Sequence, residues 1–302
     1  YTLIRSGLDV TVENPFEQGG EFELDLDFFH RRADVASGSD DSTTRFRPDR
    51  ISYTWGGLRH RPDRWQVGRF LQNEFPELGI IDGVEYGRRL DSGDRLGSSF
   101  GLLPEPDDDL GSGDDLAAAV FYRWVADDSE ALSVGTAYQK TWHKGTADRD
   151  LLLQTVDYRP HKRFTLNGTA WIDHYTGADK LKSPGLELTQ LQLSGRYTGD
   201  SGDGVGLSLS TLRWPDLLRD EFDLLTATQI TDNRVMRVSL NGWHQASDQV
   251  RLSGRVSQWT DQTDSGNSAD VRVTMRDIFY EDGSVSVSAY HTQGSFHRGL
   301  GL

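Results

Sequence analysis

The feature that most constrains this chain is a two-residue alternation of apolar and polar side chains that recurs along nearly its whole length. In residues 250–259, Leu252 and Val256 share one side, whereas Arg251 and Arg255 share the other. Successive side chains of a β-strand point to opposite faces of a sheet, so the alternation predicts strands with one apolar and one polar face. Because the polar face carries full-length arginines, the pattern predicts an all-β, antiparallel up-and-down transmembrane β-barrel with lipid outside and water inside.

Composition excludes several other classes of protein. The 302 residues are 35% hydrophobic with a mean hydropathy of −0.59, and no apolar run approaches the roughly 20 residues of a membrane helix. A net charge of −15 disfavours nucleic acid as a partner, because phosphate binding needs a basic surface. The absence of cysteine excludes thiolate metal sites and cysteine nucleophiles. We expect no metal and no cofactor.

The spacing of turn residues predicts about sixteen strands joined by short turns and longer loops in strict alternation. This arrangement is typical of short periplasmic turns and longer extracellular loops. The longer connections are expected at residues 33–48, 72–81, 104–115, 176–185 and 214–234. We predict one outer-membrane β-barrel domain over residues 1–302 that lacks a strand at each end, which would make eighteen strands in the complete barrel. Closure at sixteen strands is the alternative.

Three short runs add a family resemblance. Residues 63–70 end in a Gly-Arg step before Phe70, residues 81–86 begin a strand with Asp82-Gly83, and residues 95–101 form a Gly-rich return strand. In this respect the chain resembles porin-like barrels of Gram-negative bacteria. The resemblance implies a β-barrel in the bacterial outer membrane, in contact with outer-membrane lipid, and it identifies neither a specific porin family nor a solute.

Charged residues on the polar faces form two groups. The early strands contribute a predicted acidic wall, and the late strands contribute a predicted basic wall. The acidic wall consists of Asp9, Glu13, Glu23, Asp25 and Asp27. The basic wall consists of Arg196, Arg237, Arg251, Arg255, Arg272 and Arg276. Three interpretations remain open: the walls line a pore and tune its ion selectivity, they pair into a structural salt-bridge lattice, or the arginines form a specific anion site.

Two further features bear on function. Trp171, Trp243 and Trp259 share the parity of their polar neighbours, so they are candidate aromatic residues of the lumen. The connection 214–234 has a rough helical period, from Leu217 to Leu225, that predicts a short amphipathic helix. That helix would constrict the lumen, cap the barrel or dock a partner protein.

The pattern favours a channel over an enzyme. The histidines, including His143, His174 and His244 near strand ends, show neither zinc-protease spacing nor a catalytic-triad signature. We predict an outer-membrane, porin-like channel for passive diffusion of small hydrophilic solutes or ions, which either works alone or forms a homo-oligomer. The alternative is a plugged or scaffolding barrel in a multi-protein envelope complex, and a soluble all-β binding protein is a third hypothesis.

Overall fold

The computed structural model consists largely of antiparallel strands. It describes residues 2–34, 40–58, 60–106, 110–219, 225–232, 234–261, 264–278, 280–295 and 298–301. The strands of the first half are β1 (Thr2–Glu13), β2 (Gly20–Asp34), β3 (Asp40–Leu58), β4 (Arg61–Leu71), β5 (Ile80–Arg89), β6 (Arg95–Leu103), β7 (Asp115–Val125), β8 (Leu132–His143) and β9 (Thr146–His161). The second half contains β10 (Phe164–Tyr175), β11 (Gly185–Thr198), β12 (Gly204–Arg213), β13 (Arg234–Gln245), β14 (Val250–Thr260), β15 (Ser265–Arg276), β16 (Ser284–Gly294) and β17 (Arg298–Gly301).

Among the described residues, helical structure is confined to two short elements. A 3₁₀ turn spans Pro76–Leu78, and α1 spans Ala227–Asp232. In the part of the chain that the structure describes, no helix is long and apolar enough to cross a lipid bilayer.

The predicted all-β, antiparallel up-and-down fold is confirmed. Successive strands pair antiparallel from β1 to β7 and again from β10 to β17. The described ranges contain 17 strands rather than the predicted sixteen or so, because β17 lies in a tail where no strand was predicted. The last pairs of β16 with β17 include Tyr290 opposite Gly301, where a side chain larger than hydrogen would meet the tyrosine ring.

Two predictions about the connections are wrong. The loop expected at residues 33–48 is mostly strand, because β2 and β3 continue as a long hairpin up to Asp34 and from Asp40. The strict alternation of short and long connections also fails, because β8 and β9 are joined by the tight turn at residues 144–145 on the side of the longer loops. Lys144 adopts a left-handed φ of 48° and Gly145 one of 79°, a pairing that permits this two-residue turn.

By backbone contacts the chain divides into two compact units. The first unit comprises Tyr1–Trp124, Thr136–Leu151 and Leu217–Asp223; the second comprises Val125–Gly135, Leu152–Asp216 and Leu224–Leu302. Each unit follows the same two-faced design, with opposite residues of paired strands lying on one side of the sheet.

The apolar face of the second unit is open. Leu207, Leu240, Val256, Val271 and Val287 are all among the exposed large apolar side chains, and the pairings place them on one side of β12 to β16. An exposed apolar band along consecutive strands is expected of a surface that contacts lipid.

Candidate functional site

The six arginines of the predicted basic wall lie on one face of the second unit. Directly opposite residues in antiparallel strands project to the same side of the sheet. Their positions can therefore be followed from strand to strand: Arg196 is opposite Gly206, Gly206 opposite Asn241, and Asn241 opposite Arg255. On the same side of the sheet, Arg237 lies opposite Trp259. Arg251 lies opposite Thr274 there, and Arg272 lies opposite Ser253. Arg276 lies opposite Ser284, which projects to the same side of β16 as Ser286 and Ser288. We call this surface the arginine face.

The arginine face carries little compensating negative charge. Within the described residues, none of the six guanidinium groups forms an ion pair, although Asp270 lies opposite Arg255 in the register. All six arginines are exposed. Because they make no ion pairs, the described residues give no support to a salt-bridge lattice on this face. The assignment of these arginines as pore-lining stays a prediction.

Trp243 provides an aromatic surface between two of the arginines. The guanidinium carbon of Arg196 lies 4.8 Å from the Trp243 ring centroid, and that of Arg251 lies 5.8 Å away. The indole N–H donates to the carbonyl oxygen of Gly202 at 2.8 Å, which fixes the ring against β12. Its neighbourhood is a groove of about 420 Å³ with polar walls that include Ser194 and Asn241. The groove therefore presents cations, an aromatic ring and neutral hydrogen-bonding groups together.

The predicted acidic wall lies on one face of β1 and β2 in the first unit, but it is interleaved with arginines. Asp27 accepts a hydrogen bond from Arg5 at 2.8 Å and lies 3.8 Å from Arg47. Glu23 accepts one from Arg50 at 2.7 Å. Arg5, Arg47 and Arg50 were not among the residues predicted for the wall.

The remaining members of the acidic wall face other carboxylates. Asp9 lies opposite Asp25, and Glu13 lies opposite Glu21. Among the described residues, Asp9, Glu13 and Asp25 form no ion pair, and Asp9, Glu13, Glu21 and Asp25 are all exposed. This surface therefore mixes neutralised pairs with free carboxylates.

Elsewhere in the first unit the polar face is filled by the connection between β4 and β5. We call residues 72–79 the inward segment. Its Phe75 is 1% exposed and contacts the ring of Phe121 at 5.7 Å between centroids. The amide nitrogen of Gln139 donates to the carbonyl oxygen of Leu78 at 3.2 Å, and the hydroxyl of Ser99 donates to Gln72 at 2.6 Å. The segment thus converts this polar face into a buried polar core.

Small residues make room for the inward segment. Gly83 lies opposite Gly101, and Ala117 and Ala119 continue the same face on β7. A Cβ on Gly97 would approach the Phe121 ring to 2.5 Å, so only glycine permits that ring to lie across β6.

A buried ion pair lies beneath the inward segment. Arg64 pairs with Glu85, whose side chain is fully buried, and also donates to Gln66 at 2.9 Å. A buried carboxylate needs such a partner, because desolvation of an unpaired charge is costly.

This buried cluster, which includes Arg64, Glu74 and Glu85, was not predicted from the sequence. Two signals pointed to it: apolar Phe75 and Leu78 within a connection, and glycine and alanine where a polar strand face would carry polar residues. Both indicate that something packs on the face.

The structure of the connection 214–234 differs from the predicted amphipathic helix over Leu217 to Leu225. Leu217–Arg219 are not helical, α1 begins later at Ala227, and Phe222 and Leu224 lie outside the described residues. Leu218 donates its backbone N–H to Asp148 at 2.5 Å, and Arg219 donates to the carbonyl oxygen of Pro104 at 3.0 Å. This part of the connection therefore lies against the loop ends of the first unit.

Two of the three candidate histidines, His143 and His244, contact carboxylates. His143 Nδ1 lies 2.8 Å from Asp115, and His244 Nδ1 lies 2.9 Å from Asp203. In the described structure neither ring has a serine hydroxyl as hydrogen-bond partner. The arrangement gives no support to a catalytic dyad.

Carboxylates at the turns of the second unit are stabilised in their charged form. The hydroxyl of Ser129 and the amide of Ala131 lower the pKa of Asp127. The hydroxyl of Ser201 and the amide of Gln245 lower the pKa of Asp203. These acids therefore act as turn caps.

Comparison with known proteins supports the fold alone. No protein-family model matches the chain, and no curated protein matches it in sequence. The structure is similar to Pseudomonas aeruginosa OpdK with vanillate, at TM-score 0.52 and 11% identity, covering 98% of this chain and 89% of that one. It is also similar to Pseudomonas aeruginosa OccD3 (OpdP), at TM-score 0.50 and 10% identity, covering 97% and 81%. A BenF-like porin from Pseudomonas fluorescens Pf-5 aligns over 99% and 94% at 9% identity and TM-score 0.45. The similarity to OpdK and OccD3 shows that the chain has the porin-type β-barrel fold.

Proposed function

We propose that this protein is an outer-membrane channel that passes small hydrophilic solutes and prefers anions. The observation that carries the proposal is the arginine face. It combines six arginines without ion pairs among the described residues with an opposite face of exposed apolar side chains. A strand with these two faces fits a wall between lipid and water. Rings of charge along such a wall set the ion selectivity of a pore.

The arginine face offers more than charge to a passing solute. Ser194, Ser208 and Asn241 provide neutral hydrogen-bonding groups beside Arg196 and Trp243. A solute that sheds part of its hydration shell needs such replacement groups. This composition supports passage of small polar molecules as well as inorganic ions, and it favours a transport role over an enzymatic one.

The test is conductance and reversal potential of the detergent-folded protein in a planar bilayer under a salt gradient. We expect stepwise conductance with anion preference. We expect the reversal potential to shift toward cation preference in a variant with glutamate at all four of the positions Arg251, Arg255, Arg272 and Arg276. Stable conductance with an unchanged reversal potential in that variant would contradict the role of the arginine face.

A matched control distinguishes the effect of the arginine face on selectivity from the effect of the protein's net charge. Lys162 and Lys180 lie exposed in connections outside the strands. The double variant Lys162→Glu/Lys180→Glu changes the net charge as much as Arg251→Glu/Arg255→Glu. We expect the first to leave selectivity near that of the unmodified chain and the second to shift it. Equal shifts would assign the effect to overall charge.

A plugged or scaffolding barrel is the second candidate function. It is favoured by the inward segment, whose buried Phe75 and Leu78 fill part of a polar face. Membrane insertion without conductance, combined with recovery of a defined envelope partner by cross-linking, would support this function instead of a channel.

A further inference from the structure

Two neighbouring grooves lie on the polar side of the second unit. The first is the groove of about 420 Å³ beside Trp243, which we call the cationic groove. The second has a volume of about 230 Å³, is lined by β10, β11 and β12, and is called the neutral groove. Ser194 and Ser208 line both grooves and lie directly opposite each other in the register. The two grooves therefore meet at one row of the sheet.

Two glycines on β12 make room for the cationic groove. Gly204 lies opposite Trp243, and Gly206 lies opposite Asn241. A Cβ on Gly204 would collide with the Trp243 ring, and one on Gly206 would approach the Asn241 amide to 2.8 Å. The indole ring and the amide lie across β12 because these two positions carry no side chain.

Trp243 brings two guanidinium groups together at the cationic groove. Arg196 and Arg251 both line it, and their guanidinium carbons lie 4.8 and 5.8 Å from the centroid of the Trp243 ring. A guanidinium group that stacks on an aromatic ring keeps its N–H edge free for an anion. Within the described part of the chain neither arginine forms an ion pair, and no carboxylate lines this groove. Both positive charges are therefore available to a ligand.

The neutral groove continues from there with uncharged hydrogen-bonding groups. Its lining includes Asn167, Thr169, Gln192 and Ser210. Asn167 lies opposite Ser194, and Thr169 lies opposite Gln192, so these side chains project to the same side of the sheet. No charged side chain lines this groove. Hydroxyl and amide groups both donate and accept hydrogen bonds, so the groove is complementary to the hydroxyl groups of a sugar or polyol.

The charge of the cationic groove discriminates among small organic anions. A phosphate monoester carries a charge of about −1.5 to −2 at pH 7 and has three acceptor oxygens. A carboxylate carries a single negative charge, and one guanidinium group binds both of its oxygens in a bidentate pair. Two guanidinium groups beside one ring therefore match a phosphoryl group better than a carboxylate.

We propose that the two grooves together bind a small phosphate monoester that carries several hydroxyl groups, such as a sugar phosphate. Arg196 and Arg251 hold its phosphoryl group, and the neutral groove accepts its hydroxyl groups. This inference rests on the proposed function, because it names the class of solute that the arginine face receives in the channel.

The test is isothermal titration of glucose 6-phosphate into the protein folded in a phosphate-free maltoside detergent. We expect one saturable site per chain. Glucose and inorganic phosphate each fill only one groove, and glucuronate carries a carboxylate in place of the phosphoryl group. All three should therefore bind at least tenfold more weakly. The proposal is wrong if glucose 6-phosphate does not bind saturably, or if any of the three binds equally well.

Two variants test the grooves separately. Arg251→Gln should weaken glucose 6-phosphate binding by about tenfold or more, because a charged donor to the phosphoryl group is lost. Gln192→Ala removes a group that lines only the neutral groove. It should weaken glucose 6-phosphate binding by about fivefold and leave inorganic phosphate binding unchanged. Equal losses for both ligands in Gln192→Ala would contradict the division of the site into two grooves.

Lys180→Gln is the matched control, because it removes an exposed positive charge from the connection between β10 and β11. It should leave glucose 6-phosphate binding unchanged, and a loss equal to that of Arg251→Gln would overturn the proposal.

Titration in detergent also separates this inference from the proposed function. Saturable binding by a protein that does not conduct in a planar bilayer would support the binding site and contradict the channel. Conductance without saturable binding would support the channel and overturn the binding site.

Discussion

The polar faces of the two units differ in whether their charged side chains are buried in ion pairs or exposed without them. In the first unit the face of β4 to β7 is buried under the inward segment, and its charges occur in pairs such as Arg64 with Glu85. In the second unit the arginine face is exposed, and its arginines form no ion pairs among the described residues. A buried charge must be neutralised by the protein, whereas an exposed charge is hydrated and remains available to solutes. One strand pattern thus yields a polar core in one unit and a solvated surface in the other.

The largest expected effect comes from breaking the buried pair. Arg64→Ala leaves the fully buried Glu85 without its cation and should cost about 3–5 kcal/mol of unfolding free energy. Arg255→Ala on the arginine face should change it by less than about 0.5 kcal/mol. Denaturant unfolding of both variants in the same detergent measures the contrast. Similar losses for the two variants would remove the distinction between the faces.

The second-largest expected effect on stability concerns two neighbouring positions on β12, which test which face contacts lipid. Leu207 is 52% exposed on the apolar side, and Ser208 is exposed on the polar side. Leu207→Arg should cost about 2–4 kcal/mol in a bilayer, because a charge enters hydrocarbon. Ser208→Arg should cost little, because it joins a hydrated face. Unfolding measured in lipid vesicles should therefore separate the two variants, and a larger cost at Ser208 would invert the assignment of the faces.

The smallest expected effect is a pH dependence of stability at the turn that contains Asp203. The pKa of Asp203 is lowered in the folded protein, so its contribution to stability is present above the ordinary aspartate pKa of about 3.9 and is lost as pH falls through the lower folded value. We expect hydrogen-exchange protection of the Gln245 amide, which donates to Asp203 at 2.7 Å, to fall in that acid range. Asp203→Asn should remove this pH dependence. A wild-type protection factor that stays constant through the acid range would contradict the capping role.

Much of the strand pattern could be predicted from the sequence, because period-two alternation is a local signal. The alternation of Leu252 and Val256 with Arg251 and Arg255 identified both the strand and its faces, and the register agrees. Trp243 and Trp259 share the polar side as predicted, opposite Ser253 and Arg237.

Features that depend on tertiary contacts were not predictable in the same way. Whether a connection such as residues 72–79 folds onto a face depends on the room that distant glycines leave for it, and no periodicity reports this. The extension of β2 and β3 through a polar stretch likewise depends on cross-strand pairing, which outweighs the weak strand propensity of Asp and Ser.

Solvent access to the two polar faces is the most direct test of this account, and a chain without cysteine permits it cleanly. Single cysteines would replace Ser208 on the arginine face, Ser99 beneath the inward segment, and Ser98 on the apolar side of β6. The rate of reaction with a charged, membrane-impermeant thiol reagent would then be measured in lipid vesicles. We predict fast reaction at position 208 and slow reaction at positions 99 and 98. Equal rates at 208 and 99, or a faster rate at 99, would contradict the division into a hydrated arginine face and a filled polar core.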